Sequence, residues 1–165
     1  MTQLFPSLPS TGGRPLQHVK TLTGLSRRRL SVEDVLDLIE NRQIKWAWNI
    51  ARKDAARPEL RFWRDSLLNY FVRESGAGEP SSLSEEIPIE HVIANILPRC
   101  AAPHSPASVI RAADLSQRFL CCSNHILGLV RDGELKSAGP LQANVATAIR
   151  YHNAYEFLQR RCLTL

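Results

Sequence analysis

The sequence predicts an α+β chain, mainly helical, built from two small modules in tandem. Apolar residues at helical spacing are interspersed with short runs of alternating polarity, and a Gly/Ser/Pro-rich stretch divides the chain near its middle. A hydrophobic fraction of 44% in 165 residues is ample for folded cores. We expect a flexible leader at 1–16, modules at 17–74 and 88–162, and a linker at 75–87.

The helices of the first module are predicted from apolar spacing and capping signals. A short helix is possible at Gln17–Leu22. Residues 31–34, Ser-Val-Glu-Asp, have the form of a capping box and predict a helix that ends near Asn41. Asp65 is expected to open a further helix after two strands.

The two strands of the first module are predicted at 43–50 and 59–63, where polarity alternates on either side of a basic loop. We expect their indoles, Trp46, Trp48 and Trp63, to lie in the core or the sheet. The alternative is an open stacking platform for single-stranded nucleic acid, which requires aromatic rings interleaved with basic groups.

The second module contains two short helices joined by a tight turn. Helices are expected at about 110–119 and 123–131, with the break at 120–122. Ser123 is the expected N-cap of the second helix, and Gly133 is placed where a residue with positive φ follows a helix end. This is the helix-turn-helix plan.

Further segments complete the second module. Pro88 is expected at the first position of a preceding helix. Residues 134–136 and the alternating run 146–151 predict a two-stranded wing, and Asn153 is the expected cap of a closing helix. Helix, turn, helix, wing and closing helix form a winged helix-turn-helix arrangement.

The pattern of this module resembles the excisionase-like and MerR-like winged helix-turn-helix family. The matching residues are Ile126, Leu129, Val130, Gly133 and Leu135, followed by Ile149, Phe157 and Leu158. The resemblance covers roughly a third of the chain, and no single residue in it is diagnostic. The sequence departs from the family at Cys121-Cys122, in place of a small polar turn, and at Gly128, in place of a larger side chain.

The helix 123–131 is predicted to read DNA. Its buried stripe is Ile126, Leu129 and Val130, so the residues expected to face outward are Ser123, Asn124, His125, Gly128 and Arg131. Asn and Arg side chains can pair with base edges in a major groove, and a glycine allows close approach of the backbone.

One apolar register appears on both sides of the chain. With an offset of 91 residues, Val35, Leu38 and Ile44 correspond to Ile126, Leu129 and Leu135, and an offset of 87 relates the closing segments. This predicts a duplicated module. Chance similarity between two amphipathic units is the alternative.

Charge separates the two modules. The first helix carries Glu33, Asp34, Asp37 and Glu40, which would repel phosphates, so it is a poor base reader. Residues expected to contact phosphates are Arg27, Arg28, Arg29, Arg52, Lys53, Arg57, Lys136 and Arg150. For the three consecutive arginines, a solvated face is the alternative. The net charge of +5 favours a polyanionic partner.

The residue pattern argues against catalysis and cofactors. The five histidines lack a neighbouring Ser/Asp or Cys/Asp signature, and no Gly-rich phosphate loop follows a strand. Cys100, Cys121, Cys122 and Cys162 do not have zinc-ligand spacing, so we expect no metal, no cofactor and free thiols in a reducing compartment. No run of 18 apolar residues exists, so no membrane is expected.

We therefore expect a double-stranded DNA-binding protein rather than an enzyme. It would act as a transcriptional regulator or as an excisionase-type recombination or architectural factor, in the cytoplasm and on the nucleoid if bacterial. The alternative is a protein-interaction adaptor that uses its winged folds for assembly. A protein partner or self-association through the first module is compatible with both hypotheses.

Overall fold

The structure, a computed structural model, describes residues 15–18, 30–76, 87–139 and 146–164. The helices within these residues are α1 (Val32–Glu40), α2 (Arg64–Ser75), α3 (Ile89–Ile96), α4 (Ala112–Phe119), α5 (Ser123–Arg131) and α6 (Tyr151–Arg161). The strands are β1 (Leu16–His18), β2 (Ala47–Asn49), β3 (Leu60–Trp63), β4 (Val109–Arg111) and β5 (Ala148–Arg150). The predicted α+β class is confirmed.

Two small antiparallel sheets organise the chain. The first has the strand order β1-β3-β2, and the second pairs β4 with β5. On the other side of β5, Ser137 forms a bridge with Ile149, and the Ala138 N–H donates to the Ala148 carbonyl at 2.8 Å. β3 and β5 therefore each lie between two paired segments, and we call them the central strands. We call the described residues up to 76 the first half and those from 87 the second half.

The two halves repeat the same backbone hydrogen bonds after the helices α1 and α5. The Asn41 N–H donates to the Asp37 carbonyl, and 91 residues later the Asp132 N–H donates to the Gly128 carbonyl, both at 2.9 Å. The next residue has positive φ in each half, 56° at Arg42 and 78° at Gly133. The predicted left-handed position of Gly133 is confirmed.

The sheet register also repeats. Leu16 lies opposite Trp63 in the first sheet, and Val109 lies opposite Arg150 in the second. In each half, the residue after the central strand begins a helix. Its N–H donates to the carbonyl of the residue just before the first strand of the sheet: Arg64 to Pro15 at 2.8 Å and Tyr151 to Ser108 at 2.9 Å. A first strand, a helix, a further paired segment, the central strand and a closing helix therefore follow one another in both halves. Among the described residues, α4 of the second half has no counterpart in the first.

Several predicted helix starts are wrong by one to three residues. Cys122 is the N-cap of α5, and Ser123 is its first helical residue. The closing helix α6 begins at Tyr151 rather than after Asn153, because the N–H of Tyr151 is already held by Ser108 as the strand ends. By contrast, Ser31 and Asp34 form the predicted capping box, with hydrogen bonds of 2.8 and 3.1 Å.

Other boundaries also change. Leu16–His18 is a strand because it pairs with β3, so the helix predicted at Gln17–Leu22 is wrong at its start and Leu16 does not belong to a leader. Pro88 is the N-cap of α3, and α2 begins at Arg64, one residue before Asp65. Most of the predicted leader and linker, together with residues 19–29, lies outside the described residues.

Both halves contribute to one large core. It contains Leu16, Trp46, Trp48, Ile50 and Trp63 from the first half together with apolar residues of α3 to α6. The predicted burial of the three indoles is confirmed, with exposures of 6%, 0% and 4% for Trp46, Trp48 and Trp63. A smaller core under α1 contains Val35, Ile44, Phe62, Leu67 and neighbouring apolar residues of the first half.

Polar bonds join the halves beside this core. The Trp48 indole N–H donates to the Leu158 carbonyl at 2.9 Å, and the Leu163 N–H donates to the Ala47 carbonyl at the same distance. Trp48 also forms an isolated antiparallel bridge with Cys162. The edge of the first sheet is thus closed by the residues that follow α6.

Candidate nucleic-acid interface

The turn between α4 and α5 is fixed by an unusual backbone conformation at Leu120. Its φ of 54° is left-handed, a region that non-glycine residues rarely occupy. The Cys121 N–H then donates to the Ser116 carbonyl at 3.0 Å, which closes the end of α4. Phe119 and Ile126 are fully buried on either side of the turn. The predicted pair of short helices with a tight turn is therefore present.

Three of the predicted DNA-contacting residues on α5 are exposed: Ser123, Asn124 and Arg131. Asn124 and Arg131 are seven residues apart, two turns on one side of a helix. Leu127, between them on that side, is half-buried. This side, which we call the α5 strip, presents an amide and a guanidinium to solvent.

Gly128 is buried, so the prediction that it faces outward is wrong. The Arg52 side chain from the first half lies over it. A Cβ added at Gly128 would be 2.7 Å from Nε and 2.9 Å from Cδ of Arg52, which is closer than real Cβ atoms approach. The glycine therefore allows a side chain of the other half, rather than a nucleic acid, to come close to the helix.

His125 also contacts the first half. Its Nε2 lies 2.6 Å from the Ile50 carbonyl oxygen, and because a carbonyl can only accept, Nε2 carries the proton. The ring is half-buried. The prediction of an outward-facing groove contact is therefore wrong for His125, since a loop 75 residues earlier in the chain covers that side of α5.

The Arg52 guanidinium is held by Asp132, which caps the end of α5. Nε and Nη2 of Arg52 donate to the two carboxylate oxygens of Asp132 at 3.0 and 2.9 Å, a bidentate pair. The hydrogen bond from Arg52 lowers the pKa of Asp132, and the same bond raises the pKa of Arg52. Arg52, which the sequence predicted to contact phosphate, thus pairs with a carboxylate of its own chain.

Four other predicted phosphate contacts are exposed: Lys53, Arg57, Lys136 and Arg150. Lys53 and Arg57 lie in the loop that covers α5, and the Lys53 N–H is 3.4 Å from a carboxylate oxygen of Asp132. The Arg150 N–H donates to the Lys136 carbonyl at 3.2 Å, so Lys136 lies in the segment next to β5. Arg27, Arg28 and Arg29 lie outside the described residues.

Arg61, which follows the basic loop of the first half in the sequence, is a buried cation and not an exposed one. Its residue is 2% exposed, and its guanidinium donates to the carbonyls of Phe119 and Leu120, each at 2.8 Å, and to Leu60 at 2.9 Å. Glu59 pairs with it at 3.1 Å. The carbonyls at the end of α4 carry partial negative charge, so this position favours a cation. The first half thereby holds the turn that precedes α5.

The two cysteines of the turn differ in environment. Burial raises the pKa of the Cys121 thiol to about 12, whereas Cys122 is exposed. Cys100, Cys121, Cys122 and Cys162 are all free. Among the described residues, no three His, Cys, Asp or Glu side chains are grouped closely enough to hold a metal ion.

The face of α1 that corresponds to the α5 strip has the opposite chemistry. Glu33, Leu36 and Glu40 occupy the positions of Asn124, Leu127 and Arg131, 91 residues earlier. Glu33 and Glu40 are exposed, as is Asp37 at the position equivalent to Gly128. Equivalent helix faces thus present carboxylates in one half and an amide and a guanidinium in the other.

Comparison with protein-family models, with curated proteins and with solved structures finds no match to this chain. Within the part of the chain that the structure describes, no helix combines the length and apolar character needed to cross a membrane.

Proposed function

We propose that this chain is a tandem winged helix-turn-helix protein that binds double-stranded DNA through the α5 strip. The observation that carries the proposal is the α4–α5 pair, with its tight turn at Leu120 and with Asn124 and Arg131 exposed two helical turns apart. These side chains are suited to bidentate contacts with adenine and guanine edges in a major groove. The strands beside the pair supply the wing.

The covered side of α5 limits how DNA would approach. Arg52 lies over Gly128, between Asn124 and Arg131 on the same helix face, and Ile50 accepts from His125 on the adjacent side. DNA would therefore reach Ser123, Asn124 and Arg131 beside the Arg52 side chain. Exposed cations for backbone phosphates are available in the covering loop, at Lys53 and Arg57, and on the second sheet, at Lys136 and Arg150. DNA would thus be read by the second half and gripped by both.

The repeated backbone pattern supports the tandem reading. Pairing on both sides of the central strand, sheet register and the hydrogen bonds after α1 and α5 coincide in the two halves. The carboxylates on α1 argue that only the second copy of the module reads bases, since they would repel phosphates. With the resemblance to the excisionase-like and MerR-like family, this favours a transcriptional regulator or a recombination factor.

The experiment that tests DNA binding starts from a pool of random duplexes and enriches the bound sequences. Binding of the best duplex is then titrated at several salt concentrations by fluorescence anisotropy. Affinity should fall steeply with salt, because cations bound to DNA phosphates are released. A flat, weak and sequence-independent signal would contradict the proposal.

Matched variants locate the reading surface. Asn124→Ala and Arg131→Ala should each cost about 1–3 kcal/mol on the selected duplex and relax discrimination at one base pair. Asn95→Ala and Arg99→Ala, two exposed residues outside the α4–α5 pair, are the controls and should leave binding unchanged. Unchanged binding in both α5 variants would mean that α5 is not the reader.

A protein-interaction adaptor is the second candidate. It is favoured by the α1 face, where Val32 and Leu36 are 43% and 37% exposed beside carboxylates. Such a surface suits protein contact better than contact with a polyanion. The salt titration separates the two functions, because an adaptor would not show the steep loss of DNA affinity.

A further inference from the structure

Exposed large apolar side chains lie on two surfaces of opposite charge. Val32, Leu36 and Leu163 are 43%, 37% and 41% exposed, and Val109 is 48% exposed. The first three lie on or beside α1, whereas Val109 lies on β4 of the second sheet. Exposed apolar residues grouped with charges of one sign indicate contact surfaces.

The α1 surface is a groove with an apolar floor and an acidic rim. A cavity of about 470 Å³ is lined by Glu33, Leu36, Asp37, Ile39, Glu40 and Leu163. Glu33, Leu36, Asp37 and Glu40 follow one another at the spacing of a single helix face. Within the described residues, none of the three carboxylates at the rim forms an ion pair. We call this surface the acidic groove.

The outer face of the second sheet is its chemical complement. Val109 lies opposite Arg150, and Arg111 follows two residues later on the same face of β4. Lys136 lies beside Arg150 in the segment next to β5. All three cations are exposed, although Arg111 also pairs with Asp114 at 2.9 Å. We call Val109 with these cations the basic sheet face.

The equivalent face of the first sheet is covered by the second half of the chain. The equivalent positions on the first sheet include Leu16 and Trp63, which are 0% and 4% exposed because they pack into the core shared with the second half. The fold therefore already uses one outer sheet face for docking inside the chain. The second sheet keeps its equivalent face open.

We infer that the acidic groove docks the basic sheet face of a second copy of this chain. Opposite charges meet, and the exposed apolar side chains of Leu36, Leu163 and Val109 become covered in one contact. Because the two surfaces differ, each copy offers one of each, so the association is head-to-tail rather than isologous. It uses Lys136 and Arg150, which the proposed function assigns to DNA phosphates, so DNA would compete with it. It is expected to weaken with salt, since the charges are exposed.

Sedimentation velocity of the full chain without DNA tests the inference. The weight-average mass should rise with protein concentration at low salt and fall at high salt. Glu33→Lys with Glu40→Lys should abolish this rise, as should Val109→Glu with Arg111→Glu. The matched control for the groove variant is Glu90→Lys with Glu156→Lys, which changes the net charge by the same amount at exposed positions outside both surfaces.

Mixing the two charge-reversed variants gives the sharpest result. Neither associates alone, yet together they should associate, because the unaltered sheet face of one variant fits the unaltered groove of the other. The introduced lysines of one also meet the introduced glutamates of the other. Far-UV circular dichroism verifies that each variant is folded. A wild-type chain that stays monomeric at every concentration would overturn the inference and leave the groove to a different protein. Failure of the mixture to associate would overturn it equally.

Discussion

Arg61 donates a hydrogen bond from Nε to the carbonyl of Phe119 at 2.8 Å, which connects β3 of the first half to the last residue of α4. A second bond from the same guanidinium reaches Leu120, the left-handed residue of the turn. The side chain that holds the turn between α4 and α5 is therefore supplied by the first half.

Replacing Arg61 by Ala should lower the free energy of unfolding by about 2–4 kcal/mol, because buried carbonyls lose their donor and a packed side chain is removed. Urea denaturation followed by tryptophan fluorescence measures this. Arg57→Ala is the control, since Arg57 is exposed, and should change stability by less than about 0.5 kcal/mol. Equal stability of the two variants would show that the Arg61 contacts contribute little.

Gly128→Ala should displace the Arg52 side chain and break its pair with Asp132. Gly128 is inside α5, so alanine adds about 1 kcal/mol of helix propensity, while loss of a solvent-screened surface ion pair costs little. We therefore expect little net change in stability but a rise in the pKa of Asp132 toward its usual range. A carboxyl titration by NMR measures it, and an unaltered pKa would contradict the expected displacement.

The Arg52–Asp132 pair should stabilise the fold only above acidic pH. Arg52 lowers the pKa of Asp132 in the folded chain, whereas the unfolded value is about 3.9. Its contribution is therefore fully present above that value and is lost as pH falls through the lower folded pKa. Asp132→Asn should be less stable than wild type at neutral pH, and the difference should shrink at the acid end of a denaturation series. A constant difference would exclude this linkage.

Cys122 should react with iodoacetamide well before Cys121 at mildly alkaline pH. Cys122 is exposed, whereas Cys121 is half-buried and its pKa is raised to about 12, so Cys121 has little thiolate there. Peptide mass spectrometry after timed labelling measures the two rates. Urea-unfolded chain is the reference, in which both thiols should react at similar rates. Faster labelling of Cys121 in the folded chain would contradict its buried placement.

Local signals in the sequence predicted some features of the helices correctly. The capping box at Ser31, the range of α5 and the left-handed Gly133 all follow from residues within one or two helical turns. The shared strand face of Trp46 and Trp48 likewise follows from alternation. These features depend on neighbours along the chain, whereas the burial of the indoles is completed by the second half.

The covered side of α5 could not be predicted in the same way. His125 and Gly128 contact Ile50 and Arg52, about 75 residues earlier, and a helical wheel does not reveal such a neighbour. Arg61 was equally hidden, because an arginine in an alternating strand usually reaches solvent. Gly128 gave one weak signal of this contact, since a mid-helix glycine lowers helix propensity and often marks close packing.

The bond from the Trp48 indole to Leu158 means that the separation between the halves is set by shared packing and not by the length of the intervening peptide. Surfaces on different halves are therefore held at a spacing that the shared core determines. A partner with two contact points, such as successive turns of a duplex, would therefore be selected by its own spacing. Lengthening the peptide between the halves would leave that selection unchanged.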